Sequence, residues 1–282
     1  MIEINSLHSL NQFSNFETFE YGDTTIILYD DHRCILTALF EARKLGIIDS
    51  GINLVTFDRH DDARAVHPDS MPFIRNCIDT GIENISSKEF KTFVEFDISD
   101  NDDDWVKVAF ELNLIQDIVN IGNVENSNIE DFPNHTYRTQ NGAEHKGFVL
   151  GHLGDELNTH GGSLGDMVLY DRNVDIHRIF GYNMRGEEGF AKVSQDYILD
   201  FDLDCFTTTC QDKVFAWPEA IFANEYGNDK VAYFMYNLIS RAKFITICRE
   251  PSYCGGIGES NKILSYLDTY FFRCFLGTTP IK

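Results

Sequence analysis

"INLVTFDRHDD", residues 52–62, carries a greasy strand-like run directly into five charged residues, one of them a histidine. Its apolar residues, Ile52, Leu54, Val55 and Phe57, do not alternate strictly with polar ones. That is the pattern of a strand covered on both faces, and such strands belong to parallel sheets flanked by helices. The charged part raises a cost, because a carboxylate cluster at the end of a buried strand must be solvated, protonated or paired. Along an extended backbone the D-x-H-x-D spacing turns Asp58, His60 and Asp62 to one side and Arg59 and Asp61 to the other.

The same pattern recurs outward in both directions. "TTIILYD" (24–30) precedes the helix-spaced "RCILTALFEARKLGI" (33–47). "KTFVEFDIS" (91–99) reads as a strand before the helical "DWVKVAFELNLI" (104–115), and "DIVNIG" (117–122) as the next strand. "DMVLYD" (166–171), "DYILDFDLDCF" (196–206) and "KFITICRE" (243–250) are further strands, with helices over 229–242 and 260–276. Segments 126–165 and 207–228 read as long functional loops. No repeat or linker divides the chain. The expectation is one domain over 1–282, an α/β fold of three layers, α/β/α, with a mostly parallel sheet.

In such a sheet ligands gather beyond the carboxyl ends of the strands. Asp30, Asp31 and His32 stand there, as do Asp58, His60 and Asp62, then Asp202 and Asp204, then Arg249 and Glu250. Several carboxylates in one pocket repel each other unless cations neutralise them. Two divalent ions would do so, with imidazoles completing the ligand set, and an oxygen-rich set with some nitrogen suits Mn²⁺. A lone D-x-D or H-x-D is a weak signal that most often marks a turn. The convergence of several strand ends is the stronger one.

Composition narrows the partners. The formal charge is −22 over 282 residues, which repels nucleic acid and anionic lipid and attracts cations or basic peptides. No apolar run is long enough for a membrane span, and the N-terminus lacks a basic patch followed by an apolar stretch. Seven cysteines, without a CxxC, read as reduced core residues of a cytoplasmic protein.

The motifs resemble those of the ureohydrolases, the arginase and agmatinase superfamily. Asp31-His32 matches that family's early Asp-His pair, Asp58-Arg59-His60-Asp61-Asp62 its D-x-H-x-D, and Asp200-Phe201-Asp202-Leu203-Asp204 its later S-F-D-x-D, with Asp200 in the Ser position. The resemblance implies an arginase-like fold and two Mn²⁺ per chain. His32 and Asp62 would hold one ion, His60 and Asp204 the other, and Asp58 and Asp202 would bridge them, leaving Asp200 as a supporting acid. It also implies a guanidinium-binding glutamate, Glu250 in "ITICREPSYCGG".

The sequence departs from the arginase pattern at "YDDHR", at "DCFTTT" and in "ARAVHPDSMPF", which lacks the Asn and Ser ligands for a free amino acid. It therefore looks closer to a divergent branch that includes bacterial peptide arginases. "NDDDWVKVAFELNLI" (101–115) resembles that branch as well. The implied substrate is an arginine-containing precursor peptide, converted to ornithine with release of urea.

"ELNTHGG" (156–162) resembles the Asn-x-His-Gly of arginases and makes His160 the expected proton donor, with His152 as its substitute. Asp62 would hold or shuttle a proton. Asp102, Asp103 and Asp104 could grip a peptide's cationic groups, or Asp103 and Asp104 could cap and start the next helix. "CGGIGES" (254–260) lacks a phosphate loop's GK[ST] ending and reads as a turn. Two other classes stay open: a single-zinc deacetylase-like amidohydrolase of the same fold, and a non-catalytic acidic peptide-binding module. A homo-oligomer is compatible with the sequence, and no residue specifies one.

Overall fold

The computed structural model describes residues 7–13, 15–48, 51–98, 103–122, 127–129, 132–133, 136–151, 196–227 and 229–277. The strands are β1 (Glu17–Tyr21), β2 (Thr24–Tyr29), β3 (Ile52–Phe57), β4 (Ile115–Ile121), β5 (Thr136–Arg138), β6 (Glu144–Leu150), β7 (Tyr197–Asp202), β8 (Thr207–Cys210), β9 (Lys213–Ala216) and β10 (Phe244–Cys248). The helices are α1 (Ile35–Lys44), α2 (Met71–Thr80), α3 (Ser87–Phe96), α4 (Trp105–Glu111), α5 (Glu219–Tyr226), α6 (Asp229–Arg241) and α7 (Ile257–Tyr270).

Eight of the strands form one sheet in the order β1-β2-β10-β7-β3-β4-β6-β5. The six inner strands run parallel, and β1 and β5 pair antiparallel at the edges. All six residues of β3 are buried, as its apolar run requires. Alternate residues feed two separate cores. Ile26, Leu28, Val55, Phe57, Leu199, Phe201, Ile245 and Ile247 pack with residues of α5, α6 and α7. Ile27, Tyr29, Leu54, Ile118, Ile198, Phe244 and Cys248 pack with residues of α1, α3 and α4. Helices thus cover both faces, giving the α/β class and the three layers that the sequence implies.

The chain lays β3, β4 and β6 outward, then returns to insert β7 and β10 between β3 and β2. Consequently β2, β10, β7 and β3 are consecutive neighbours, and their carboxyl ends adjoin one another. This is the crevice where open α/β sheets place their chemistry.

Three local expectations need correction. Residues 91–99, read as a strand, lie largely in α3. Ser86 and Glu89 close a reciprocal capping box at its start, and Phe90, Phe93 and Val94 bury one helical stripe, which together override the β propensity of Thr-Phe-Val. The loop reading of 126–165 misses β5 and β6, and β6 pairs with β4 inside the main sheet. The loop reading of 207–228 misses the β8–β9 hairpin and α5. The hairpin turns at Gln211 and Asp212, with φ of 50° and 59°, and neither residue is the glycine or asparagine that usually signals such a turn. "DMVLYD" (166–171) lies outside the described residues. None of the seven cysteines forms a disulfide, and all but Cys210 and Cys274 are buried.

Candidate metal centre

β2 ends at Tyr29, and Asp31 then precedes a short 3-10 turn whose first residue is His32. The turn swings His32 back over the sheet, fully buried. Its Nε2 lies 2.9 Å from Asp200 Oδ2. Asp200 is fixed in turn by Thr56 Oγ1 at 2.8 Å, Thr246 Oγ1 at 2.5 Å and the Tyr29 hydroxyl at 3.4 Å. Thr56, Asp200 and Thr246 are register partners across β3, β7 and β10, so this polar row is a product of strand pairing. It holds the imidazole by one nitrogen and aims the other outward.

That other nitrogen, Nδ1, faces three carboxylates: Asp62 Oδ2 at 2.8 Å, Asp202 Oδ2 at 3.2 Å and Asp58 Oδ2 at 3.6 Å. Yet His32 Nδ1 and Asp58 Oδ2 are buried with no hydrogen-bond partner among the described residues. Donor atoms crowded in this way could serve as co-ligands of one ion. His32, Asp58, Asp62 and Asp202 each offer one atom within 4.8 Å of the others, and so do Asp58, His60 and Asp204. Ligand bonds of about 2.0–2.6 Å to a hard divalent ion put co-ligand atoms within about 5 Å, so both sets fit one ion each. Asp58 belongs to both. Its Oδ1 also accepts the His60 amide at 2.7 Å.

The second set is more open. His60 is about half exposed, with Nδ1 2.9 Å from Asp204 Oδ2. Asp204 arrives on the 3-10 turn after β7, its amide donating to Asp202 Oδ1 at 3.2 Å. The extended alternation read for D-x-H-x-D therefore stops at Asp58, as the extended backbone of β7 stops at Asp202. Beyond those residues a left-handed Asp62 (φ 45°) and the 3-10 turn complete the grouping. Asp61 points elsewhere, accepting from Ser127 Oγ at 2.7 Å and the Ile129 amide at 2.8 Å.

Electrostatics reflect the crowding. Burial, then Asp62 and Asp202, pushes Asp58 well above the usual carboxylate range. Burial and then Asp204 push Asp202 up to about 7. Burial favours neutral His32, but Asp200 and Asp202 outweigh it and raise its pKa strongly. The hydrogen bond to Asp204 is the main cause that lifts His60 to about 9. Without a cation the cluster compensates with protons; a cation would take their place.

Glu250 comes from the end of β10, also left-handed (φ 37°) and buried. Burial, then Asp202 and Asp204, raises its pKa well above the usual range. It does not pair with its neighbour: Arg249 Nε donates to Asp30, and Arg249 Nη1 lies 3.7 Å from Glu17. Glu250 forms a third close group with Asp202 and Cys248.

Asp103 and Asp104 are engaged within the chain. Asp103 pairs with Arg64 at 2.7 Å, while Asp104 is buried and accepts the His67 amide at 2.8 Å. They brace the segment after Asp62 instead of presenting open carboxylates, and Asp104 rather than Asp103 holds the N-cap position of α4. Asp102, His152 and His160 lie outside the described residues.

Some supporting residues escape the sequence reading. The Trp105 indole donates to Asp62 Oδ2 at 2.7 Å and lies against the His32 ring, with centroids 4.9 Å apart. Its fully buried N–H needed an acceptor, which is the one signal a sequence offers. Gly122 is a second: a Cβ there would stand 2.1 Å from the Asp58 carbonyl oxygen.

No protein-family model matches this chain. Nor does any curated protein. Among solved structures, the arginase of Helicobacter pylori aligns over 95% of this chain and 77% of its own, with 15% identity and a TM-score of 0.41. No helix among the described residues is long and apolar enough to cross a membrane.

Proposed function

We propose that this chain is a dimanganese hydrolase of guanidino groups that converts arginine side chains within a precursor peptide to ornithine and urea. One observation carries the reading: Asp58 is common to two adjacent candidate ligand sets, so it would serve both ions of a pair, beside the buried Glu250. Oxygen-dominated sets with one imidazole each suit Mn²⁺. His32 and Asp62 would serve one ion, His60 and Asp204 the other, with Asp58 and Asp202 between them.

When bound, such a pair supplies Lewis acidity and lowers the pKa of water toward neutrality. The chain's own residues do the rest. Glu250, ionised once a cation faces it, accepts two N–H groups of the planar guanidinium and orients its central carbon toward the acids. Asp62, steadied by Trp105, holds a proton during addition of water. His160, or His152 in its place, delivers a proton to the departing amine. The balance is one guanidinium and one water giving one alkylammonium and one urea. The acidic surface favours a cationic peptide over nucleic acid or membrane, and a cytoplasmic setting suits unpaired cysteines.

The test is metal content per chain together with urea release from free arginine, agmatine and arginine-containing peptides. Two manganese ions and ornithine formed within a peptide are expected. One zinc and no urea would replace this reading with the deacetylase-like one. Two ions without turnover of any guanidino compound would leave a binding module.

A further inference from the structure

The two candidate manganese sets contain only oxygen and imidazole nitrogen, whereas the third group contains sulfur. Asp202, Cys248 and Glu250 each bring one ligand atom within 4.8 Å of the others, and all three residues are buried. Such spacing fits a small divalent ion with one thiolate and two carboxylates, for which bonds of about 2.3 Å to sulfur and about 2.0–2.2 Å to oxygen are usual. A second observation points to a cation here. Glu250 is 6% exposed, and the adjacent cation, Arg249, turns away from it to Asp30 and Glu17. A buried carboxylate left in that condition is costly until a positive group faces it. Cys248 is set by the last register pair of β10 with β7, opposite Asp202 itself, so sulfur and carboxylate meet through sheet geometry rather than loop placement.

We infer that Asp202, Cys248 and Glu250 form a further cation site, selective for a thiophilic divalent ion of the zinc or cadmium type, whose occupation keeps a guanidinium off Glu250. The exclusion of guanidinium rests on the function proposed above; the ion site itself does not. On binding, the Cys248 thiol releases its proton to solvent and the thiolate joins the ion. Hard ions such as Mn²⁺ gain little from sulfur, so a softer ion is drawn to this group, which shares Asp202 with the His32 set. The site is thus a place where a trace of soft metal would switch off a manganese enzyme.

The probe is Cd²⁺, whose bond to thiolate gives an ultraviolet charge-transfer band. It is titrated into the full-length, manganese-loaded chain with the exposed Cys210 and Cys274 replaced by serine. One cadmium per chain with a thiolate band is expected, persisting in Cys254→Ser and absent in Cys248→Ser. Glu250→Gln, which keeps the thiol, should weaken cadmium binding at least about tenfold, the scale on which even indirect partners of a bound ion count. A band that survives in Cys248→Ser with an unchanged melting temperature overturns the site, as does undiminished affinity in Glu250→Gln. Guanidinium chloride separates the two proposals. If it competes with Cd²⁺, both stand. If cadmium binds and guanidinium does not compete, the ion site stands and the guanidinium role of Glu250 falls. If urea is released from arginine peptides but no cadmium binds, only the inference made here falls.

Discussion

Asp58 touches both candidate ligand sets, and that makes its loss different in kind from the loss of His60. Asp58→Asn should abolish binding of both ions, whereas His60→Ala should leave the His32 set able to hold one; metal analysis of the purified variants decides this. Asp200 acts at one remove. It holds Nε2 of His32 and is itself held by Thr56, Thr246 and Tyr29. Asp200→Asn should preserve the fold yet weaken metal binding by about 10–100-fold, measured by calorimetric titration with Mn²⁺. At this scale the sequence was legible wherever the chemistry repeats: His32, Asp58, His60, Asp62, Asp202 and Asp204 do come together, because acids at strand ends need something to neutralise them. Thr56, Thr246 and Trp105 were not legible, since each reads as an ordinary strand or core residue until pairing shows what it faces.

At the scale of elements, the chain positions each acid through a neighbour distant in sequence. The loop after β4 passes so close to the end of β3 that only glycine fits at 122. Gly122→Ala should therefore displace Asp58 and lower metal affinity while removing no ligand, and the same calorimetric titration would register it; unaltered affinity would show the backbone giving way without effect. β3, β4, β7 and β10 announced themselves as mostly apolar runs without strict alternation, because strands covered on both faces have no solvent side. β6 did not, its "EHKGFVL" mixing charge, glycine and apolar residues at the sheet margin. α3 was misread because β-branched and aromatic residues suit a strand locally, while the stripe and capping box that decide the matter span a longer window.

For the molecule as a whole, protons and metal ions would compete for one cluster, and the sign of that competition can be worked out. In the metal-free chain the Asp202 pKa is raised from 3.8 to about 7, so its contribution to stability is complete below about pH 4 and is lost as pH rises through 7. His60, raised from 6.5 to about 9, acts in the same direction over a higher window. The metal-free protein should thus lose stability between pH 4 and 9 on account of this cluster. The gain in melting temperature on adding Mn²⁺ should grow over the same range. Thermal melts with and without metal at pH 5.5, 7 and 8.5 check it, and a gain that shrinks as pH rises would contradict the assigned ligands.

The sheet order has a consequence for synthesis on the ribosome. The strands in the middle, β7 and β10, are made after those on either side of them. A nascent chain ending near residue 195 holds β2 and β3 with nothing between them and only part of each candidate ligand set. Neither candidate ligand set is complete before Asp202 and Asp204 are made, and a stop ahead of β7 would leave two bare strand edges open to adhesion between molecules.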